Sequence, residues 1–210
     1  MNLALVSDNS TNQGKEAIRY LISEVDRKGR ELSVAYFASQ PDPDKIFFED
    51  IRQFYESLAV KTVHYIELED NYDEAYVKKC LSSSLIHLSG GDTFRFLFWL
   101  KKRGMDVVLK RYAREGKPFV GISAGAIIMT PNIDSAALCG DINTIALMDT
   151  SSLDLVPFLL APHAEKNHKE VVNAISFKAS SNIKIALCSD SDALVVKKSK
   201  IIEFGNPLWI

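Results

Sequence analysis

The chain has 210 residues, of which 47% are hydrophobic and 25% are charged. This mixture is typical of a globular protein with a substantial core. The chain contains 25 lysines and arginines and 27 aspartates and glutamates, so its net charge is only −2. Such a balance gives no electrostatic basis for binding nucleic acid or an anionic membrane, and we exclude both as main partners.

The cysteines and the N-terminus narrow the class of protein further. Cys80, Cys139 and Cys188 are widely separated and form no CxxC pair, which argues against a disulfide framework and a zinc site. No ligand cluster or phosphate-binding glycine pattern indicates a metal or an organic cofactor. The N-terminal apolar run is too short for a signal peptide, and no stretch approaches the ~20 apolar residues that span a bilayer. We therefore expect a cytoplasmic protein without a cofactor, and the sequence leaves its oligomeric state open.

Strand and helix patterns alternate through the first half of the chain. The strands are predicted at residues 3–6, 32–37, 61–66, 85–88 and 118–121. The helices are predicted at residues 15–27, 45–58, 73–82, 93–103 and 105–115. Strands that alternate with helices of this length form parallel βαβ crossovers. We expect one α/β domain over residues 1–210, with a mostly parallel sheet covered by helices on both faces.

The second half of the chain is less regular. Residues 183–187, 193–196 and 201–204 are predicted as closing strands, the last two as a hairpin over residues 197–200. The apolar C-terminus, residues 207–210, is expected to pack against the core rather than against a partner.

The clearest motif lies between a predicted strand and an apolar helical pattern. It reads Gly-Ile-Ser-Ala-Gly, which matches G-x-S-x-G with Ser123 at its centre. In this context, small neighbours allow a tight, strained turn that exposes the serine hydroxyl, and the N–H of Ala124 points at an oxyanion. Ser123 is therefore the candidate nucleophile, although small residues would also suit a closely packed strand–helix junction.

A second motif, Ser-Gly-Gly-Asp-Thr, follows the fourth predicted strand. It should lie at the same carboxyl edge of the sheet as the serine, where ligand sites of open α/β sheets form. The backbone at Gly90 and Gly91 would turn there and expose N–H groups as the second half of an oxyanion hole. In the alternative interpretation, Asp92 or Thr93 simply caps the next helix. The two interpretations are compatible.

A serine hydroxyl needs a base that removes its proton, and the chain offers four histidines. His64 and His87 alternate with apolar neighbours in predicted strands, which favours places within the sheet. His163 follows Pro162 in a loop-like segment, whereas His168 resembles the solvated start of a helix. We therefore favour His163 as the base.

The third member of such a triad is a carboxylate that holds the imidazole in the right tautomer. Asp134 and Asp141 lie between Ser123 and His163, and Glu165 lies two residues beyond the histidine. Spacing alone leaves these three candidates open.

Taken in order, the motifs resemble those of a known family. Gly-Gly-Asp-Thr after a strand, then Gly-Ile-Ser-Ala-Gly-Ala, then Ala-Pro-His are similar to the peptidase E group of S51 serine peptidases. That group includes aspartyl dipeptidases and is related to the cyanophycinases. The resemblance extends over most of the chain. It implies a fold related to the class I glutamine amidotransferases, which place a cysteine at this elbow.

The resemblance also implies roles for individual residues. Ser123 would be the nucleophile and His163 the base, while Gly91 and Ala124 would supply the oxyanion N–H groups. Asp141 stands where the acid of the family is expected.

One feature departs from the family pattern. Aspartyl dipeptidases are thought to grip the acidic side chain of the substrate with a positive group, yet no arginine follows Arg114 in this chain. The positive side chains between the histidine and the final hairpin are Lys166, Lys169, Lys178 and Lys184. A lysine is a mobile point charge rather than a bidentate fork, which puts a preference for N-terminal aspartate in doubt.

The leading hypothesis is a serine peptidase that cleaves short peptides, with Asp-Xaa dipeptides among the candidates, through an acyl-enzyme intermediate. An esterase or amidase of the α/β-hydrolase type shares the order serine, acid, histidine, but its histidine generally lies further downstream. A non-catalytic relative that binds a small ligand at the elbow is the alternative from a different class, because function resides in the site rather than in the fold.

Overall fold

A computed structural model of the protein describes residues 1–25 and 31–210. Its strands are β1 Asn2–Val6, β2 Ser33–Phe37, β3 Thr62–Ile66, β4 Leu85–Leu88, β5 Phe119–Ile122, β6 Leu159–Ala161, β7 Ile185–Leu187, β8 Ala193–Lys197, β9 Lys200–Phe204 and β10 Leu208–Trp209. Its helices are α1 Asn12–Ser23, α2 Ile46–Ser57, α3 Glu74–Cys80, α4 Thr93–Lys102, α5 Met105–Arg114, α6 Ala124–Ile128 and α7 His168–Ser181. A 3₁₀-helix covers Asp134–Cys139.

The main sheet has seven strands in the order β3-β2-β4-β5-β1-β8-β9. The first five strands of this order are mutually parallel, and β8 and β9 form an antiparallel hairpin at the β1 side. Since parallel neighbours need crossover connections, the alternating helices follow directly from this topology. The carboxyl ends of β1, β2, β4 and β5 therefore meet at one edge of the sheet.

Helices cover both faces of the main sheet, as the sequence predicts. On one face, α1 and α2 bury apolar residues such as Ile18 and Ile51 against β1, β2 and β8. On the other face, α3 to α6 bury residues such as Leu97 and Leu109. The strands between these layers are almost continuously apolar and buried, which is typical of parallel strands covered on both sides.

Predicted and observed elements agree closely in the first half of the chain. The first helix begins at Asn12 rather than at residue 15, because Thr11 acts as its N-cap and accepts a hydrogen bond from the N–H of Gly14. The predicted end of this helix, at residue 27, lies outside the described residues. The fold class is confirmed: an α/β fold with a mostly parallel sheet.

The second half forms a separate three-stranded sheet in the order β10-β7-β6. Strand β6 and strand β7 are parallel, and β10 pairs antiparallel with β7. Strand β6 is not predicted from the sequence, because its three residues carry too little periodicity. The C-terminal Trp209 contacts the ring of Phe158, so this end of the chain packs against its own second sheet.

Among the described residues, no helix is long and apolar enough to cross a membrane.

Candidate active site

Ser123 lies at the sharp turn between β5 and α6. Its backbone has φ 48° and ψ −109°, a positive φ that non-glycine residues rarely adopt. The turn is held on both sides, since the N–H of Ser123 donates to the carbonyl of Val6 and its own carbonyl accepts from Ala126. Strain of this kind persists only where the surrounding structure fixes it, and it is concentrated at functional sites.

The two glycines of the motif are required sterically, because a larger residue at either position would clash with the backbone. A Cβ on Gly121 would lie 2.4 Å from the carbonyl oxygen of Gly125, and a Cβ on Gly125 would lie 2.1 Å from the carbonyl oxygen of Leu88. Both distances are far below van der Waals contact. The close packing of strand and helix and the exposure of the serine are therefore consequences of the same small residues.

His163 contacts the serine hydroxyl directly. Its Nε2 lies 2.8 Å from Oγ of Ser123, within hydrogen-bond distance. The histidine follows the end of β6 by two residues and takes a left-handed conformation, with φ 58°. Its N–H donates to Oγ of Ser7, at the end of β1, so that the backbone of His163 is tied to the main sheet.

The other ring nitrogen of His163 faces Asp190. Nδ1 lies 2.6 Å from Oδ1 of this aspartate, and the two side chains are 45% and 58% exposed. Asp190 follows the end of β7 by three residues. Because β6 and β7 are parallel neighbours, their carboxyl ends lie side by side, and this brings Asp190 to His163.

The three carboxylates considered from the sequence do not occupy this position. Oδ2 of Asp141 accepts the hydroxyl hydrogen of Thr93 at the start of α4. Glu165 accepts from the side chain of Asn167, and Asp134 begins the 3₁₀-helix. The expectation that Asp141 holds the histidine disagrees with this geometry, because the carboxylate at Nδ1 lies 27 residues after His163 and not before or just after it. The polar run after the predicted strand at residues 183–187 was the available signal.

The turn that carries Asp190 is anchored by its neighbour Asp192. The Asp192 side chain is 2% exposed and accepts hydrogen bonds from Lys166 Nζ, from the N–H and hydroxyl of Ser189, and from the N–H of Asn206. Burial raises the pKa of Asp192, but the hydrogen bonds from these partners outweigh it and leave the pKa below its ordinary value. The ion pair also means that Lys166 already has a carboxylate partner.

Gly90 lies beside the serine, since a Cβ on it would be 3.6 Å from Cβ of Ser123. The carbonyl of Gly90 accepts hydrogen bonds from Oγ of Ser39 at 2.6 Å and of Ser89 at 3.0 Å. In a trans peptide, the N–H points opposite to the carbonyl, so these serines direct the N–H of Gly91 away from themselves. Gly91 has φ 128°, and a Cβ there would lie 2.2 Å from Oγ of Ser39. Only glycine suits this position.

Three N–H groups near the serine have no acceptor within the described ranges 1–25 and 31–210: those of Gly90, Gly91 and Ala124. The carbonyl of Gly90 helps to fix the loop. Asp92 is the N-cap of α4, with Oδ1 accepting from the N–H of Arg95 at 2.9 Å. Of the two candidates for the cap of α4, the structure shows Asp92 in that role.

The remaining histidines occupy the predicted kinds of position. His64 lies in β3, His87 is buried in β4, and His168 is the first residue of α7. In the part of the chain that the structure describes, no group of three or more histidine, cysteine, aspartate or glutamate side chains is placed to hold a metal ion.

Comparisons with known proteins identify the family of the chain. The model of the family described as peptidase family S51 matches residues 3–204. An uncharacterized peptidase of Pasteurella multocida (strain Pm70) is 29% identical over 134 residues, which cover 60% of this chain and 61% of that protein. The match thus spans about three fifths of that relative's length. Peptidase E of Nostoc sp. (strain PCC 7120) is 22% identical over 165 residues, which cover 76% of this chain and 64% of the relative.

Two solved structures share the fold over nearly the whole chain. A crystal structure of a candidate peptidase E protein from Listeria monocytogenes EGD-e superposes with a TM-score of 0.73 at 24% identity and covers 99% of this chain and 98% of that one. A peptidase from an acI-B1 actinobacterium gives a TM-score of 0.69 at 16% identity and covers 100% and 93%.

Proposed function

This chain belongs to peptidase family S51 and is a serine-type peptidase, and from this premise we propose that it hydrolyses short peptides with Ser123, His163 and Asp190 as its catalytic triad. The single observation that carries the proposal is the chain of contacts from Asp190 through His163 to Ser123, with distances of 2.6 Å and 2.8 Å. A base within hydrogen-bond distance of the nucleophile, itself oriented by a third group, is the arrangement that activates a serine.

Acylation follows from these positions. Oγ of Ser123 attacks the scissile carbonyl carbon, and its proton passes to Nε2 of His163. The negative oxygen of the tetrahedral intermediate is held by the N–H groups of Gly91 and Ala124, which donate to no other group of the described residues. When the C–N bond breaks, His163 returns the proton to the departing amine, and an ester of Ser123 remains.

Deacylation repeats the same steps with water. His163 removes a proton from the water that attacks the ester carbonyl, and the second tetrahedral intermediate uses the same two N–H groups. Collapse releases the carboxylic acid, and His163 gives its proton back to Oγ of Ser123. Asp190 stays ionised throughout and stabilises the imidazolium formed in each half.

We propose small peptides, including dipeptides, as the substrates, and a cytoplasmic location. The Asp-Xaa dipeptides that the family resemblance implies are one candidate class. The positive group that they would need is not offered by Lys166, since its ammonium group contacts Asp192 and the carbonyl of Asn206.

The test of this proposal is covalent labelling and turnover in matched serine variants. A fluorophosphonate should label the wild-type protein at Ser123, and Ser123→Ala should abolish both labelling and cleavage of a dipeptide panel. Ser180→Ala, an exposed position on α7, is the control and should behave as wild type. Turnover that survives in Ser123→Ala would contradict the proposal.

A further inference from the structure

A cavity of about 340 Å³ opens beside the nucleophile at the carboxyl edge of the main sheet. It lies between the start of α1, the first turns of α2, and the ends of β2 and β4. Gly90, Gly91 and Ile122 form its border toward the serine, and Ile122 immediately precedes Ser123. A group bound to the serine therefore reaches this cavity directly.

The position of His163 decides which part of a substrate the cavity receives. The histidine gives its proton to the departing amine, so the leaving group must lie on the histidine side of the serine. Neither His163 nor Asp190 lines the cavity, whereas Gly91 of the oxyanion loop does. The cavity accordingly lies on the acyl side, where the side chain that precedes the scissile bond must be placed.

A neutral N–H donor lies on the cavity lining. His87 is 1% exposed, and its Nδ1 lies 2.8 Å from the hydroxyl of the fully buried Tyr55. A buried hydroxyl needs an acceptor, and Nδ1 is the one found for Tyr55 among the described residues. Tyr55 thus donates to Nδ1, and the ring carries its proton on Nε2. Burial lowers the pKa of His87 to about 3, so the ring is neutral near pH 7.

The Nε2–H of His87 is available to a ligand. Within residues 1–25 and 31–210, the one side-chain polar atom that is both shielded from solvent and unpartnered is Oγ of Ser83. Nε2 of His87 has no hydrogen-bond partner in these described ranges, yet it is not among the shielded atoms. It is therefore reached from the cavity that His87 lines. The ring is held in place by Tyr36, which stacks on it at a centroid distance of 4.9 Å.

The remaining lining combines apolar side chains with uncharged polar ones, and its charged side chains are negative; the polar ones are Asn9, Ser10, Ser39, Gln40 and Ser89. Phe47 and Ile51 of α2 supply apolar surface, while Asp42 and Asp50 lie on the lining. Both oxygens of Asp42 accept N–H groups from the first turn of α2, whereas Asp50 is exposed. None of the described lining residues is a lysine or an arginine. A carboxylate in this cavity would lose its hydration without gaining a counter-charge, which is costly.

Resting on the function proposed above, we propose that this cavity is the acyl-side subsite and that it selects an uncharged side chain ending in a hydrogen-bond acceptor, with glutamine as the natural fit, and rejects aspartate and glutamate. The methylene stem of glutamine packs against the apolar walls, and its amide oxygen accepts the Nε2–H of His87. Glutamate has the same shape, so the difference between the two substrates measures the charge alone.

Three dipeptides of matched size test this specificity: Gln-Leu, Met-Leu and Glu-Leu. We expect kcat/KM for Gln-Leu to be about tenfold higher than kcat/KM for Met-Leu, which is the effect of one hydrogen bond. It should be at least about a hundredfold higher than kcat/KM for Glu-Leu. In His87→Phe the ratio of Gln-Leu to Met-Leu should fall to about one. In Asp50→Lys the discrimination against Glu-Leu should weaken about tenfold, whereas Asp44→Lys, with the same charge change outside the lining, should leave all ratios unchanged.

A binding measurement separates this proposal from the catalytic one. In Ser123→Ala, Gln-Leu should raise Tm more than Glu-Leu does, whether or not the wild type turns either over. Equal shifts, or equal cleavage of Gln-Leu and Glu-Leu by a protein that labels at Ser123, would overturn the subsite assignment and leave the peptidase mechanism intact. Absent labelling with a selective Gln-Leu shift would overturn the mechanism and support the subsite.

Discussion

Replacing Asp190 by asparagine removes the negative charge next to His163 and keeps the size of the side chain. The structure places Oδ1 of Asp190 2.6 Å from Nδ1 of His163. The loss should fall on kcat, since the charge stabilises an imidazolium that exists only after the serine has given up its proton. Asp141→Asn is the matched comparison, because Asp141 contacts Thr93 instead.

The size of the effect can be estimated from the exposure of the pair. Opposite unit charges about 4 Å apart interact by about 1 kcal/mol in bulk water and about 4 kcal/mol near a protein surface. With side chains 45% and 58% exposed, we expect a value near the middle, about 2.5 kcal/mol. At 1.36 kcal/mol per tenfold change, kcat should fall about a hundredfold. This is less than the roughly 10⁴-fold loss typical of a buried triad aspartate.

The assay is steady-state kinetics on one dipeptide, with thermal unfolding to confirm that both variants fold. Asp190→Asn should lower kcat about a hundredfold with little change in KM, and Asp141→Asn should lower it less than about threefold. If Asp141→Asn were the more damaging change in folded protein, the assignment of Asp190 as the acid would be refuted.

Three further substitutions test the support of the site. Gly91→Ala should lower kcat/KM at least about a hundredfold, because the new Cβ would meet Oγ of Ser39 at 2.2 Å and displace an oxyanion N–H; Gly104→Ala, where nothing lies within 4 Å, controls for the loss of a left-handed glycine. Ser39→Ala removes one of two donors to the Gly90 carbonyl, and kcat should fall about tenfold with Tm nearly unchanged. Asp192→Asn should reduce the free energy of unfolding by about 2–3 kcal/mol near neutral pH, measured by urea unfolding, because Lys166 loses its partner. The pKa of Asp192 is lowered from 3.8 in the folded state, so its contribution is complete above about pH 4 and is lost as pH falls through the folded pKa. The difference between variant and wild type should therefore narrow on acidification, and a constant difference would contradict this account.

The fold class and the nucleophile could be predicted from local patterns. Apolar runs and helical periodicity depend on neighbours in the chain, and they place the strands and helices of the first half within a few residues. The turn at Ser123 could also be predicted locally, because the glycines that it needs lie within five residues of each other, and a Cβ on Gly121 would meet the carbonyl oxygen of Gly125 at 2.4 Å. His163 could be selected because Pro162 and the polar residues after it are incompatible with a buried strand.

The acid could not be predicted in the same way, because its position depends on which strands are neighbours. Residues 159–161 form a three-residue strand, too short to identify reliably from periodicity, so its neighbour at residues 185–187 could not be inferred either. The two strands are parallel, and helix α7 lies between them in the chain, so no turn motif links His163 to Asp190. Asp92 illustrates the reverse case: a cap at Asp92 or Thr93 could be predicted from the local sequence, and the structure shows Asp92 in that role.

Ser7 shows that the site depends on contacts between the two sheets, and local sequence patterns do not predict these contacts. Its hydroxyl accepts the N–H of His163 and lies within hydrogen-bond range of the carbonyl of Cys188, while its own N–H donates to the carbonyl of Asp192. One residue at the end of β1 therefore holds the turns that carry both the base and the acid. The strained elbow of Ser123 is tied to the same strand through Val6. Because the end of β1 holds the turns of all three catalytic side chains, the distances between these side chains depend on how the second sheet packs against the first. A local sequence motif can therefore specify the chemistry of each residue but not its distance from the other two.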